Sequence, residues 1–170
     1  AGIEASLRYQ PTEGWTGWAS VEWSVSRRKD RDDGAWYPFG LERPWKVSWV
    51  NAFRIDKKWE ISLRYSALGG NPYTPFKIWE SPMGERRRDA DTLLWIGNRN
   101  SATLAPYQRL DIRVSRESKV FGKPATFYYE IWNAFNDPNM ILRDNETGEF
   151  RMFQTNIPFP MIFMGMEVRF

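Results

Sequence analysis

The 170-residue chain has no cysteine and no histidine. The first absence excludes a disulfide framework. The second removes the commonest general base and the commonest metal ligand. No run approaches the ~20 consecutive apolar residues of a membrane helix. The start lacks a basic segment followed by an apolar core, so the sequence reads as a mature or internal segment without a secretory signal. Gly-rich phosphate loops, metal-ligand spacings and His-containing triads are missing, which points away from an enzyme and from any cofactor. Net charge is only +3, and Arg86-Arg87-Arg88 sits among Glu85, Asp89 and Asp91. That mixture argues against a nucleic-acid patch. No repeat of fixed period is present.

What the chain does have is aromatic residues, at 16% with 10 Trp, and a recurrent alternation of apolar with polar. Side chains alternate across a strand, so period two means two unlike faces. In "GIEASLRYQ", Ile3, Ala5, Leu7 and Tyr9 oppose Glu4, Ser6 and Arg8. In "WASVEWSVSR", Ala19, Val21, Trp23 and Val25 oppose Ser20, Glu22 and Ser24. "WKVSWVNAFRI" carries Trp45, Val47, Trp49, Phe53 and Ile55 on one side, with Asn51 as an exception. "KWEISLRYSA" sets Ile61, Leu63, Tyr65 and Ala67 against Glu60, Ser62 and Arg64. "YQRLDIRVSRE" sets Leu110, Ile112 and Val114 against Arg109, Asp111 and Arg113. "TFYYEIWNAFN" alternates less cleanly, with Glu130 opposite Phe127, Tyr129 and Ile131. "PMIFMGMEVRF" places Ile162, Met164, Met166, Val168 and Phe170 on one face, and Glu167 and Arg169 on the other. These are seven strands of roughly 9–11 residues, the length a tilted strand needs to cross a bilayer.

One face therefore gathers Glu22, Glu60, Arg64, Arg109, Asp111, Arg113, Glu130, Glu167 and Arg169, with Glu4 and Arg8. The other is nearly free of charge. Two architectures satisfy this pattern. In a soluble sandwich or lipocalin-like binding barrel, the apolar face lines a core. In an outer-membrane barrel, it meets lipid and the charged face lines a hydrated lumen.

The connections favour the membrane. Links at Pro11–Gly14, Asp56–Lys58 and Ser118–Pro124 are short, whereas those at Arg28–Pro44, Leu68–Pro106 and Pro138–Phe159 are long. Short and long alternate, as periplasmic turns and extracellular loops do; loops beyond ~12–15 residues are uncommon in compact domains. Trp15, Trp18, Trp45, Trp59, Tyr107 and Phe170 lie near strand ends, as an interfacial girdle would.

Several motifs resemble a family. "NPYTPF" after "YSALGG" resembles a loop start of TonB-dependent outer-membrane receptors, and "WYPFGLERPWKVSWVNAFRI" looks like one of their barrel segments. Arg109-Leu110-Asp111, then Glu130, Asn133 and Phe135-Asn136, then the closing Phe170 are similar, in order and spacing, to their last strands. The resemblance implies an all-β fold, residues 1–170 forming a C-terminal portion of an antiparallel transmembrane β-barrel, in the bacterial outer membrane of a Gram-negative organism. It also implies uptake of a bulky nutrient such as a siderophore, cobalamin, an oligosaccharide or a peptide. The family's plug domain has no counterpart in these residues. Implied partners are membrane lipid and lipopolysaccharide, the remaining barrel strands and plug (or another protein), and the barrel-assembly machinery, with TonB reached only through the plug. Phe170, Val168 and Met166 resemble the barrel-assembly signal.

Counted back from a periplasmic Phe170, seven strands put Ala1 on the outer side. Single-chain bacterial barrels have even strand counts and periplasmic ends, so these residues are expected not to close a barrel alone. The alternative is that a hairpin at 139–157, turning at Glu146-Thr147-Gly148, spans and gives a stand-alone eight-stranded barrel with a structural or adhesive role. The preferred placement keeps that hairpin above the membrane. In the long loops, Trp36, Tyr37, Trp79 and Trp95 either stack on a ligand or pack the loops together. The acidic groups Asp30-Arg31-Asp32-Asp33 and Asp144-Asn145-Glu146 read as solvated loop tips rather than a cation site.

Overall fold

All seven alternating segments become long strands of one sheet: β1 (Gly2–Thr12), β2 (Trp15–Ser24), β3 (Trp45–Arg54), β4 (Trp59–Leu68), β5 (Tyr107–Val120), β6 (Lys123–Trp132) and β7 (Met161–Val168). The computed structural model describes residues 1–30, 34–78, 93–137, 141–143, 150–152 and 160–169. Every strand pairs antiparallel with its neighbour in sequence, so the sheet is a simple meander. Among the described residues there is no helix.

Two of the three short links, β1–β2 and β5–β6, are tighter than the sequence suggests. β1 and β2 are separated only by Glu13 and Gly14. At the β3–β4 turn, one carboxylate oxygen of Asp56 accepts from the backbone N–H of Lys58 (2.6 Å) and of Trp59 (2.8 Å). This Asx arrangement closes the turn locally and holds the Asp56 carboxyl below its usual value. β5 and β6 are joined by Phe121-Gly122 alone, both at positive φ (50° and 76°), the conformation of a type I′ hairpin turn. The expected bounds of this hairpin were too wide. β6 stops at Trp132 because Asn133 and Asn136 take left-handed conformations (φ 54° and 52°) that Asn tolerates.

The long links carry separate two-stranded hairpins: Arg27–Lys29 with Trp36–Pro38, Pro72–Tyr73 with Ala102–Thr103, Phe76–Ile78 with Leu93–Trp95, and Ile141–Arg143 with Phe150–Met152. The last is the hairpin expected at 139–157. Its described arms are three residues each and pair only with one another, so it adds no strand to the large sheet. Its turn, and Phe170, lie outside the described residues.

Register makes each face continuous. One row reads Ile3–Trp23–Trp45, and another Phe53–Ile61–Val114–Tyr129–Met164. The reverse face carries Arg64–Asp111, Ser62–Arg113–Glu130 and Thr126–Glu167. Among the described residues, Tyr37, Ala67 and Ala125 are the only buried apolar side chains. Among the described residues, no second layer packs against the apolar face: Ile3 is 79% exposed and Met164 75%. The sheet is also open. β1 and β7 are its edges and do not pair with one another.

Candidate functional site

All nine side chains expected on the charged face share it by register parity, and β5, β6 and β7 tie several together. The Arg113 guanidinium donates to Glu130 Oε1 (2.7 Å) and to Glu167 Oε1 (3.0 Å), so one fork spans three strands. It also lies 4.1 Å over the Tyr128 ring. Tyr128 in turn covers Gly165, where a Cβ would meet its hydroxyl at 2.3 Å. A ring laid over a strand glycine fills the gap that the missing side chain leaves. Glu130 Oε2 accepts from the Trp132 indole N–H (2.9 Å).

Arg109 Nε donates to Asp111 Oδ1 (2.6 Å), which also accepts from the Asn133 backbone N–H (2.9 Å). The Asn133 side chain donates to the Asp137 carbonyl (3.0 Å). The Asn-x-Phe-Asn stretch is thus a hook that ends β6 against β5. Toward the short turns, Arg54 and Glu60 lie 3.9 Å apart, beside a polar cleft of about 290 Å³ that Arg113, Glu117, Glu167 and Arg169 also line. Glu22 faces Glu4 and Lys46 in register, and Arg64 faces Asp111. The face can carry water and hydrogen-bond a polar or charged surface. Among the described residues no group of His, Cys, Asp or Glu suits a metal.

The apolar face has one polar residue at its heart. Asn51 is 0% exposed. Its Oδ1 accepts from the Tyr9 hydroxyl (2.6 Å) and the Trp15 indole N–H (2.8 Å). Its Nδ2 has no partner among the described residues. Gly17 is required beside it, since a Cβ there would sit 2.7 Å from Asn51 Oδ1 and 2.8 Å from the Tyr9 ring. Trp15 meets Tyr9 edge-on (5.7 Å) and stacks on Phe53 (5.5 Å). Arg116 lies 5.3 Å over Trp59. The short-turn end of the apolar face is therefore an aromatic band closing on a cation. Trp15 and Trp59 join it as expected, and Trp45 lies at the opposite end. Trp18 and Tyr107 do not: they pair with Arg8 and Leu68 on the charged face. Tyr9, Phe53 and Phe127 were missed, because membership of this aromatic band depends on parity as well as on closeness to a strand end.

The first two long connections are clamped together. The Tyr37 hydroxyl donates to Asp30 Oδ1 (2.7 Å), and Arg99 pairs with the other oxygen while lying 4.2 Å over the Tyr37 ring. The shared hydrogen bond with Tyr37 holds the Asp30 carboxyl below its usual value and raises the phenol. Asn100 Nδ2 donates to the Pro38 carbonyl (2.7 Å), and the Asn100 N–H donates to Thr74 Oγ1 (2.9 Å). Gly70 lies so close to the other side of the loop that a Cβ would overlap the Leu104 carbonyl oxygen at 1.7 Å. The Asn-Pro-Tyr-Thr-Pro stretch is thus part of a loop clamp. Of the four loop aromatics, Tyr37 is buried in that clamp and Trp36 is exposed. The Trp95 backbone pairs with Phe76, and Trp79 lies outside the described residues.

Comparison with protein-family models, curated proteins and solved structures finds no match.

Proposed function

We propose that the chain is a stretch of outer-membrane β-barrel wall, with the outer loops above it, and that it belongs to a receptor of the TonB-dependent kind importing a bulky nutrient. One observation carries the reading. A single sheet keeps its charged face internally networked and leaves its apolar face uncovered. A soluble barrel needs the opposite, because an apolar face left in water forfeits ~25 cal/mol per Å². The dimensions agree. A ten-residue strand such as β4 is about 34 Å long, which at a tilt of about 45° spans about 24 Å, against an apolar band of ~25 Å in such barrels.

The open edges bear on the choice between a large and a small barrel. Unpaired strand edges in lipid cost several kcal/mol per orphaned group. β1 and β7 each need a further strand, which favours a wall segment of a large barrel over a closed eight-stranded one. In that setting the charged face meets lumen water and a plug, and the clamped loops stand outside. The identity of the nutrient rests on the family resemblance alone.

The test uses the absence of cysteine. Single cysteines at Leu7, Leu63 and Met164, and at Ser20, Ser62 and Thr126, are labelled with a fluorophore in the full-length protein in vesicles. Nitroxide lipids are expected to quench the first set, and an aqueous quencher the second. Equal quenching of both sets by lipid refutes the reading.

A further inference from the structure

The β5–β6 hairpin extends beyond its neighbours and ends in a residue that folding does not explain. β4 pairs with β5 only as far as Trp59–Arg116. From Glu117 to Val120, β5 has β6 as its only strand partner. At the tip, Phe121 is fully exposed and left-handed at φ 50°. Position one of a type I′ turn belongs to Asn, Asp or Gly; a bulky residue there is an outlier. The usual compensation is packing, and among the described residues this ring has none. A strained, uncovered aromatic is an observation from which function is inferred.

A second observation is independent of the first. Lys119 and Lys123 flank the tip. The β3–β4 turn brings Lys57 and Lys58 beside it through the Glu117 N–H to Lys58 carbonyl bond (2.7 Å). Arg169 lies on the other side, its N–H on the Pro124 carbonyl (2.9 Å). None of these five cations has an ion-pair partner among the described residues. The nearby acids are engaged: Asp56 by backbone N–H groups and Glu167 by Arg113. Glu117 is the exception.

We infer that the β5–β6 tip is a docking knob for an acidic segment of a partner protein, whose apolar side chains cover Phe121 while its carboxylates meet the surrounding cations. This rests on the membrane reading for its choice of occupant, since an anionic lipid surface would offer the same charge. Depth decides between them. The apolar band ends at Arg116, and Phe121 lies five residues further, about 17 Å along the strand. At a tilt of about 45° that is about 12 Å toward water. The headgroup layer is only about 5–8 Å deep. The ring therefore stands clear of lipid, on the short-turn side.

The test measures anisotropy of a fluorescein-labelled peptide of alternating Glu and Leu against the full-length protein in detergent. Saturable, salt-sensitive binding is expected, absent for the Lys/Leu and Glu/Gly analogues. Phe121→Asn suits the turn, so it should leave thermal stability unchanged or higher while weakening binding at least tenfold. Lys119→Glu with Lys123→Glu should weaken binding and flatten its salt dependence. Absence of saturable binding, or unchanged affinity in Phe121→Asn, overturns the proposal. A fluorophore at Lys119→Cys, in phosphatidylglycerol/phosphatidylethanolamine vesicles, is expected to escape nitroxide-lipid quenching. Quenching equal to that at Leu63→Cys would make the occupant a membrane surface and also overturn it. If Leu63→Cys itself escapes lipid quenching, the membrane reading fails, while the peptide result on Phe121→Asn still decides the knob.

Discussion

Arginine at position 63 separates the two faces most sharply. Leu63 is mid-strand on the apolar face, between Asn51 and Ile112 in register. It lies four residues from one end of β4 and five from the other, so a spanning β4 puts it near the bilayer midplane. Arg on the lipid face there costs about 2–4 kcal/mol. At 1.4 kcal/mol per tenfold, the folding equilibrium falls about 30- to 700-fold. Ser62, one residue away, faces Ala52 and Arg113 on the charged side. Arg there meets water and the neighbouring Glu60, but also Arg113. A directly opposed like charge costs up to about 1 kcal/mol, so the expected net effect is about 0–1 kcal/mol. Depth supplies an internal control. Phe127 shares the apolar face but pairs with Arg116 at its short-turn edge, so Phe127→Arg should cost about 0–1 kcal/mol for its depth and up to about 1 kcal/mol more for the opposed Arg116, less than Arg at 63. The assay is urea unfolding of the full-length protein in phospholipid vesicles, read by tryptophan fluorescence and by the mobility of unheated samples on gels. Equal tolerance of Arg at 62 and 63 would falsify the membrane reading. A cost at 127 equal to that at 63 would also refute it, since depth in lipid would then not be the cause.

Arg113→Ala should destabilise by about 2 kcal/mol, because Glu130 is mostly buried and loses a charge-assisted bond; a double-mutant cycle should couple Arg113 to Glu130 more strongly than to the more exposed Glu167. Asp56→Ala should weaken the β3–β4 turn at neutral pH. The folded Asp56 carboxyl lies below its ordinary 3.8, so its contribution is present above that value and is lost as pH falls through the folded pKa; urea titrations of wild type and variant should differ at pH 7 and converge in strong acid. Gly70→Ala should open the loop clamp without disturbing the sheet, because the added Cβ would overlap the Leu104 carbonyl oxygen. Limited proteolysis should then cut the long connections faster, with gel mobility of the unheated protein unchanged.

The alternation of side chains is a local property, set by the pleat of one strand. That is why the seven strands, their two faces and the all-β class could be read from residues such as Ile3-x-Ala5-x-Leu7 before any pairing was known. Turn positions were legible to within a few residues, because Gly and Asx residues act locally too. Register is different. That Arg113 reaches Glu130 and Glu167, 17 and 54 residues away, depends on which strand lies beside which and at what offset, and no local pattern encodes that. The odd Asn51 in an apolar row looked like a break in the pattern. Only pairing brought Tyr9 and Trp15 onto it and made it the centre of the aromatic band. Trp18 and Tyr107 fall outside that band, on the charged face, because nearness to a strand end does not say which face a ring occupies. Tyr37 could be a ligand platform or a packing residue by sequence; contact with Asp30 and Arg99, from two different loops, made it a clamp. Likewise the length of the β5–β6 hairpin, which carries Phe121 past its neighbours, follows from where β4 stops pairing, a fact that belongs to the sheet and to no single strand.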